Sequence, residues 1–252
     1  MIRLEELTLG YGSRILLDRA TATIAAGTMT ALIGRNGTGK STLLRALAGL
    51  GSRLGGTVLL DGRPLERLTP RQRAETVAFV NTERIRVPNL RCCDVVALGR
   101  APYTNWIGRM QPADEALVVR SLEQVGMAGF ADRPLDRLSD GECQRVMIAR
   151  ALAQQTPIIL LDEPTSFLDL PNRYELCSLL GRLAREEGKC ILFSTHELDI
   201  ALTLCDAVAL IDPPQLCCLP TSELVRSGRL ERLFGSETVS FDAASGRIKL
   251  RP

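Results

Sequence analysis

Apolar and polar positions along this chain follow two different periods. Ile2, Leu4, Leu7 and Leu9 stand among polar neighbours, Tyr11-Gly12-Ser13 is a turn signal, and a second short strand is expected over Thr21 to Ile24. Met29 to Ile33 is an apolar run of strand length ending in a glycine-rich turn, Gly34 to Gly39. Leu43, Leu44, Leu47 and Leu50 then recur at helical spacing. Thr57 to Leu60 reads as a strand closed by Asp61-Gly62, residues 70–76 as a polar helix, and Val77 to Val80 as a short strand.

From about Arg86 to Thr156 strand-like runs nearly vanish. Amphipathic helices are expected over residues 113–125 (Ala116, Leu117, Val119, Leu122, Val125) and 142–154 (Val146, Met147, Ala149, Leu152, Ala153). Alternation then resumes: a buried strand over Ile158 to Leu161, a helix over 171–186, a strand over Cys190 to Ser194, a helix over 197–204 and a strand over Ala207 to Ile211. The last thirty residues read as a short helix and two strands around Ala243 to Gly246. Strands alternating with helices predict an α/β fold with a mostly parallel sheet covered on both faces. An antiparallel β part precedes it. The expected division is one core from residues 1–85 and 157–252, with 86–156 an inserted α-helical subdomain.

Composition narrows the class. The 252 residues are 45% hydrophobic and 24% charged, ordinary for a soluble globular protein, and their net charge is +2. That balance argues against a nucleic-acid partner. No apolar run approaches the roughly 20 residues of a membrane helix, and the charged start Met1-Ile2-Arg3-Leu4-Glu5-Glu6 does not resemble a signal peptide. Eight cysteines, two pairs of them adjacent (Cys92-Cys93, Cys217-Cys218), have neither redox nor zinc spacing and read as reduced, small apolar residues in a reducing compartment. Only three of the 31 basic residues are lysines, so the position of each is informative.

One of them closes Gly34-Arg35-Asn36-Gly37-Thr38-Gly39-Lys40-Ser41, which fits G-x-x-x-x-G-K-[ST] in the required setting, strand before and helix after. Glycines let backbone N–H groups turn inward around phosphate oxygens, with the helix N-terminus adding a favourable dipole. Lys40 is expected to reach the β- and γ-phosphates, with Ser41 on Mg²⁺ and Thr42 beside it. After the strand ending at Leu161, Asp162 is a candidate Mg²⁺ ligand, and Glu163 is a candidate to orient or deprotonate the attacking water.

Leu138-Ser139-Asp140-Gly141-Glu142 opens the helix that follows, and LSDGECQRVMIARALAQ, residues 138–154, resembles the signature motif and helix of ATP-binding cassette (ABC) ATPases. With the phosphate loop upstream and LLDEPTSFLD downstream, the motif order is similar to that family along nearly the whole chain. The resemblance implies a P-loop NTPase core of the RecA-like type. It also implies a head-to-tail dimer in which Ser139 and Gly141 bind the γ-phosphate of ATP held by the partner's loop. Asp140 and Glu142 stand where Gly and Gln are commonest. Ser166 to Asp169 resembles the D-loop, His196 the switch histidine that contacts the γ-phosphate, and Tyr11 the aromatic stacked on adenine. One position departs: the family's Gln after the strand at 77–80 is missing, and Thr82 is the aligned substitute, a candidate for water-mediated contact with Mg²⁺.

Residues 94–106 (DVVALGRAPYTNW) and 233–250 resemble the ATPases of importers of iron–siderophore, haem and cobalamin complexes. The resemblance implies an ATP-hydrolysing subunit on the cytoplasmic face of the membrane, energising uptake of an iron complex or related chelate. Its partners would be a second copy and transmembrane permease subunits, with residues 83–110 forming the groove for a permease helix, and indirectly an extracytoplasmic substrate-binding protein. Haem and cobalamin stay open as cargo. Two other readings stay open beside transport: a soluble ABC ATPase acting on nucleic acid or ribosomes, and a non-hydrolysing structural subunit, suggested by the missing Gln.

Overall fold

The computed structural model describes residues 1–81, 88–104, 110–243 and 246–251. The chain opens with strands β1 (Ile2–Tyr11), β2 (Arg14–Ile24) and β3 (Met29–Gly34), helix α1 (Lys40–Leu47), and strands β4 (Gly55–Leu60) and β5 (Arg63–Pro64). Helix α2 (Pro70–Thr76) leads into β6 (Val77–Val80), after which come helices α3 (Cys92–Ala97), α4 (Pro112–Gln124) and α5 (Asp140–Ala153). Then follow β7 (Ile158–Leu161), α6 (Leu170–Glu187), β8 (Cys190–Ser194), α7 (Leu198–Leu204), β9 (Ala207–Asp212) and β10 (Gln215–Pro220). Helices α8 (Thr221–Arg226) and α9 (Arg229–Phe234) and a hairpin, β11 (Val239–Asp242) with β12 (Arg247–Leu250), complete the described chain.

A six-stranded sheet in the order β10-β9-β3-β8-β7-β6 is parallel except for β10, and an antiparallel sheet has the order β2-β1-β4-β5. The central strands β3, β7 and β8 are buried at every position and almost wholly apolar, because both faces are covered. Their residues divide between two cores with a period of two. Ala31, Ile33, Ile159, Leu161, Ile191, Phe193, Val208 and Leu210 face the helices from α3 onward. Leu32, Ile158, Leu160, Leu192, Ala209 and Ile211 face α1 and the antiparallel sheet, where Leu43, Leu44 and Leu47 fill the space between the two sheets. A P-loop NTPase core with an antiparallel part is therefore what the sequence leads one to expect and what the chain adopts.

Two strands depart from the sequence pattern. β2 starts at Arg14 rather than Thr21, because register shifts against β1 bury Leu16 and Leu17 side by side and break the alternation. β10 was not expected. It pairs Cys217 with Leu210 and Cys218 with Ala209 at the sheet edge, so these adjacent thiols are strand residues. None of the eight cysteines forms a disulfide. Burial pushes the Cys92 and Cys190 thiols up to about 11 and Cys177 to about 12, which makes them poor nucleophiles. No helix of the described residues is long and apolar enough to cross a membrane.

Between β6 and β7 the described chain forms helices and no named strand. Its C-terminal end is tied to the sheet: Arg150 donates to the Phe79 carbonyl at 3.0 Å, and the Gln154 amide donates to the carbonyls of Ala74 (2.6 Å) and Val77 (3.2 Å). A buried ion pair joins the turn after α3 to the first turn of α4. Arg100 Nε donates to Asp114 at 2.8 Å, with the two side chains only 7% and 8% exposed. The same guanidinium donates to the Ala153 carbonyl at 2.8 Å and lies 4.0 Å from the centre of the Tyr103 ring.

The Gln111 backbone N–H and then Arg100 hold the Asp114 carboxyl below the usual carboxylate range. A lowered carboxylate stabilises the fold above its unfolded value of about 3.9, and that contribution is lost as pH falls through the folded value. Asp114→Asn leaves Arg100 buried without a counter-charge. It is expected to cost about 3 kcal/mol at pH 7 in denaturant unfolding, with the gap from wild type narrowing as the pH is lowered towards 3.

Candidate functional site

The site gathers at the C-terminal ends of three adjacent parallel strands, β3, β8 and β7, where open α/β sheets hold their ligands. Gly34 ends β3 against β9, and a Cβ there would come within 2.8 Å of both the Ile211 carbonyl and Thr38 Oγ1, so only glycine fits. The loop then turns through Gly37 (φ 75°) and Gly39 (φ 101°). Thr38 is buried and ties the turn by donating to the Arg35 carbonyl at 2.8 Å, while Arg35, Asn36 and Gly37 are exposed. Gly39 caps α1 without a side-chain acceptor, so the first N–H groups of the helix stay open to an anion.

Lys40 is buried, and its ammonium donates to the carbonyls of Gly34 (3.0 Å) and Arg35 (3.3 Å). Burial pulls its pKa down, and the charges of Glu163 and Asp162 oppose that pull. The loop, Ser41, Thr42, Glu163 and His196 line one cleft of about 430 Å³. Tyr11 stands at its rim, 62% exposed, its hydroxyl 3.0 Å from Thr42 Oγ1. The ring face is thus free to stack on a flat ligand.

Asp162 and Glu163 are fixed from the neighbouring strand. The Ser194 hydroxyl donates to Asp162 at 2.7 Å and accepts from the Glu163 N–H at 2.8 Å. The Asp162 N–H donates to the Val80 carbonyl at 2.8 Å, completing the link to β6. Glu163 has a φ of 46°, in the left-handed region that side-chain-bearing residues adopt infrequently. The Glu163 carboxylate contacts His196 Nε2. Behind them Glu197 accepts from Thr165 (2.9 Å) and from Arg173 (2.8 Å), bracing the turn after β8.

Ser139 and Gly141 lie elsewhere. They line a second cleft, about 550 Å³, at the N-terminus of α5, beside Phe167, Leu168 and Asp169. Among the described residues the two clefts have no lining residue in common. Gly141 packs closely on that loop: a Cβ would sit 3.0 Å from Leu168 Cδ2. Thr82 lies outside the described residues, as does part of the segment 83–110.

Two residues of the site were not singled out from the sequence. Arg14 lines the first cleft and donates to the Gly37 carbonyl at 3.2 Å. Its position directly after the Tyr11-Gly12-Ser13 turn, across from Tyr11 in the β1–β2 pairing, was the available signal. Ser194 bridges the two acids, and the signal was a lone hydroxyl at the end of an apolar strand.

Comparison with known proteins fits this geometry. The family model described as ABC transporter matches residues 17–166. An uncharacterised ABC transporter ATP-binding protein of Methanocaldococcus jannaschii is 39% identical over 252 residues, all of this chain and 87% of that one. The achromobactin transport ATP-binding protein of Dickeya dadantii is 41% identical over 201 residues, 80% of this chain and 75% of that one. Among solved structures, a dimeric bacterial ABC transporter cassette superposes with a TM-score of 0.76 at 29% identity, covering 88% of this chain and 99% of that one. With motif order, fold and likeness in agreement over the length of the molecule, the chain belongs to the ABC transporter family as its ATP-binding, ATP-hydrolysing component.

Proposed function

We propose that two copies of this chain close head to tail on two ATP molecules and so drive an importer for an iron complex. The observation that carries the dimer is the separation of the two clefts. The phosphate loop and Glu163 line one, and the Ser139–Gly141 helix start lines the other. Each is half of a site, and head-to-tail pairing brings the halves together. The importer reading is supported by likeness to the achromobactin transport ATP-binding protein. Residues 86–156 act as the subdomain that meets the permease, and the chain works as a peripheral protein on the inner face of the membrane.

Within the site each residue has a task. Loop N–H groups and Lys40 neutralise the β- and γ-phosphates, and Tyr11 stacks on adenine. Arg14 adds a second cation to the lining of the cleft. Glu163 orients and deprotonates the attacking water, and His196 holds the Glu163 carboxylate in position and contacts the γ-phosphate. Among the described residues no cluster of three or more His, Cys, Asp or Glu could cage a metal by itself. Ser41 and Asp162 are hard oxygen donors of the kind that suits Mg²⁺ and would hold it beside the phosphates. When bound, that ion neutralises charge on the transferred phosphate. Closure is favoured because ATP touches both copies in the closed state only.

Glu163→Gln keeps ATP binding but removes the base, and its turnover is expected to fall by about 10²–10⁴-fold. Pulled from detergent-solubilised native membranes with ATP, this variant is expected to bring a polytopic permease with it. Recovery of ribosomes or DNA factors in its place contradicts the transport reading, and the identity of the permease separates siderophore, haem and cobalamin as cargo. Ser194→Ala releases both acids at once. Steady-state kinetics on it are expected to show kcat lowered about tenfold or more, from loss of the bond to the charged Asp162 carboxylate, worth roughly 1.5–3 kcal/mol, with KM for ATP nearly unchanged.

A further inference from the structure

Ser139 at the start of α5 is not free to meet an anion, because Glu142 already occupies both of its donors. Ser139 directs both its backbone N–H and its hydroxyl at one oxygen, Glu142 Oε2, each at 2.8 Å. In return the Glu142 N–H donates to Ser139 Oγ at 3.3 Å. A serine hydroxyl has a single proton to donate, so the one that would meet a phosphate is engaged. These bonds, with the nearby charge of Arg133, hold the Glu142 carboxyl below the usual carboxylate range, and it is an anion at neutral pH.

Charge works in the same direction. The 14-residue helix α5 presents about half a unit of positive charge at its N-terminus. Asp140 and Glu142 both lie in its first turn. Asp140, Glu142, Asp169 and Glu175 line this cleft against a single guanidinium, Arg145, so carboxylates outnumber cations on its face. A γ-phosphate arriving there must take the Ser139 hydroxyl from a carboxylate and bear that carboxylate's repulsion.

We propose that Glu142 is a positioning residue that sets how much ATP is needed to close two copies. It acts through Ser139. In the open state Glu142 holds the hydroxyl; in the closed state the hydroxyl turns to the phosphate, and the displaced carboxylate favours reopening. This inference rests on the two-copy reading above.

The test uses the full chain carrying Glu163→Gln, in which hydrolysis does not intervene, and follows dimer formation by sedimentation velocity at rising Mg·ATP. Glu142→Gln is added to that background. Gln serves the capping box as well as Glu does, so the helix start is kept, and the melting temperature without ATP should be unchanged. The expected result is a dimer at about fivefold lower ATP or less, from removal of one unit charge beside the phosphate. Glu142→Ala, which removes the charge and the cap together, should also require less ATP. A purely structural role for Glu142 predicts the opposite for Ala and no change for Gln. Either variant forming its dimer at or above the ATP requirement of Glu163→Gln alone overturns the inference. Failure of Glu163→Gln itself to dimerise at any ATP concentration overturns the two-copy reading, and the role of Glu142 with it.

Discussion

The hydrogen bonds made by one hydroxyl, Ser194 Oγ, join the two acids of the site, and they depend on the register in which β7 pairs with β8 beside β3. Leu161 of β7 pairs with Phe193 of β8, which sets Asp162 beside Ser194. Leu32 of β3 pairs with Ser194, and the next N–H, of Thr195, donates to the Leu32 carbonyl at 3.1 Å. The phosphate loop therefore begins two residues past the point at which the acids are fixed. A slip of one residue in either pairing would turn Ser194 to the other face of the sheet. That slip is opposed by the whole interior, since alternate residues of β3, β7, β8 and β9 fill two different cores.

The helical segment is attached to the same sheet at a second point. α5 is a rod of about 21 Å at 1.5 Å per residue. One end carries Ser139 and the other carries Arg150 and Gln154, which hold the carbonyls of Phe79, Ala74 and Val77. β6 in turn gives its last carbonyl, Val80, to the N–H of Asp162. The start of α5 is thus connected to Asp162 through the helix, the Arg150 and Gln154 side chains and β6, without passing through Thr82. The Arg100–Asp114 pair and the Ala153 carbonyl fix α4 to that same end of α5.

Much of this was legible in the sequence because its signals are local. The phosphate loop is a contiguous motif with a backbone reason for each glycine, and LLDE after an apolar run is a strand end with acids on it. Ser139 with Glu142 spells a capping box, and α5 begins there, at Asp140 rather than residue 142. What escaped depends on tertiary contacts. β2 was shortened because bulges against β1 put Leu16 and Leu17 on the buried side together. β10 is an edge strand of half-buried residues, and its only cue was its partner β9. Ser194 looks like the polite end of a hydrophobic strand until β7 is laid beside it.

The central claim is that the two clefts of one copy serve two different sites. Mixing two inactive chains tests it most directly: one with Lys40→Ala, the other with Ser139→Arg. In a head-to-tail dimer of the two, one site collects both defects and the other is wholly intact. The account predicts that ATP hydrolysis by the mixture rises well above the mean of the separate chains. Hydrolysis that stays at that mean, with both chains folded and mixed in excess ATP, would contradict it.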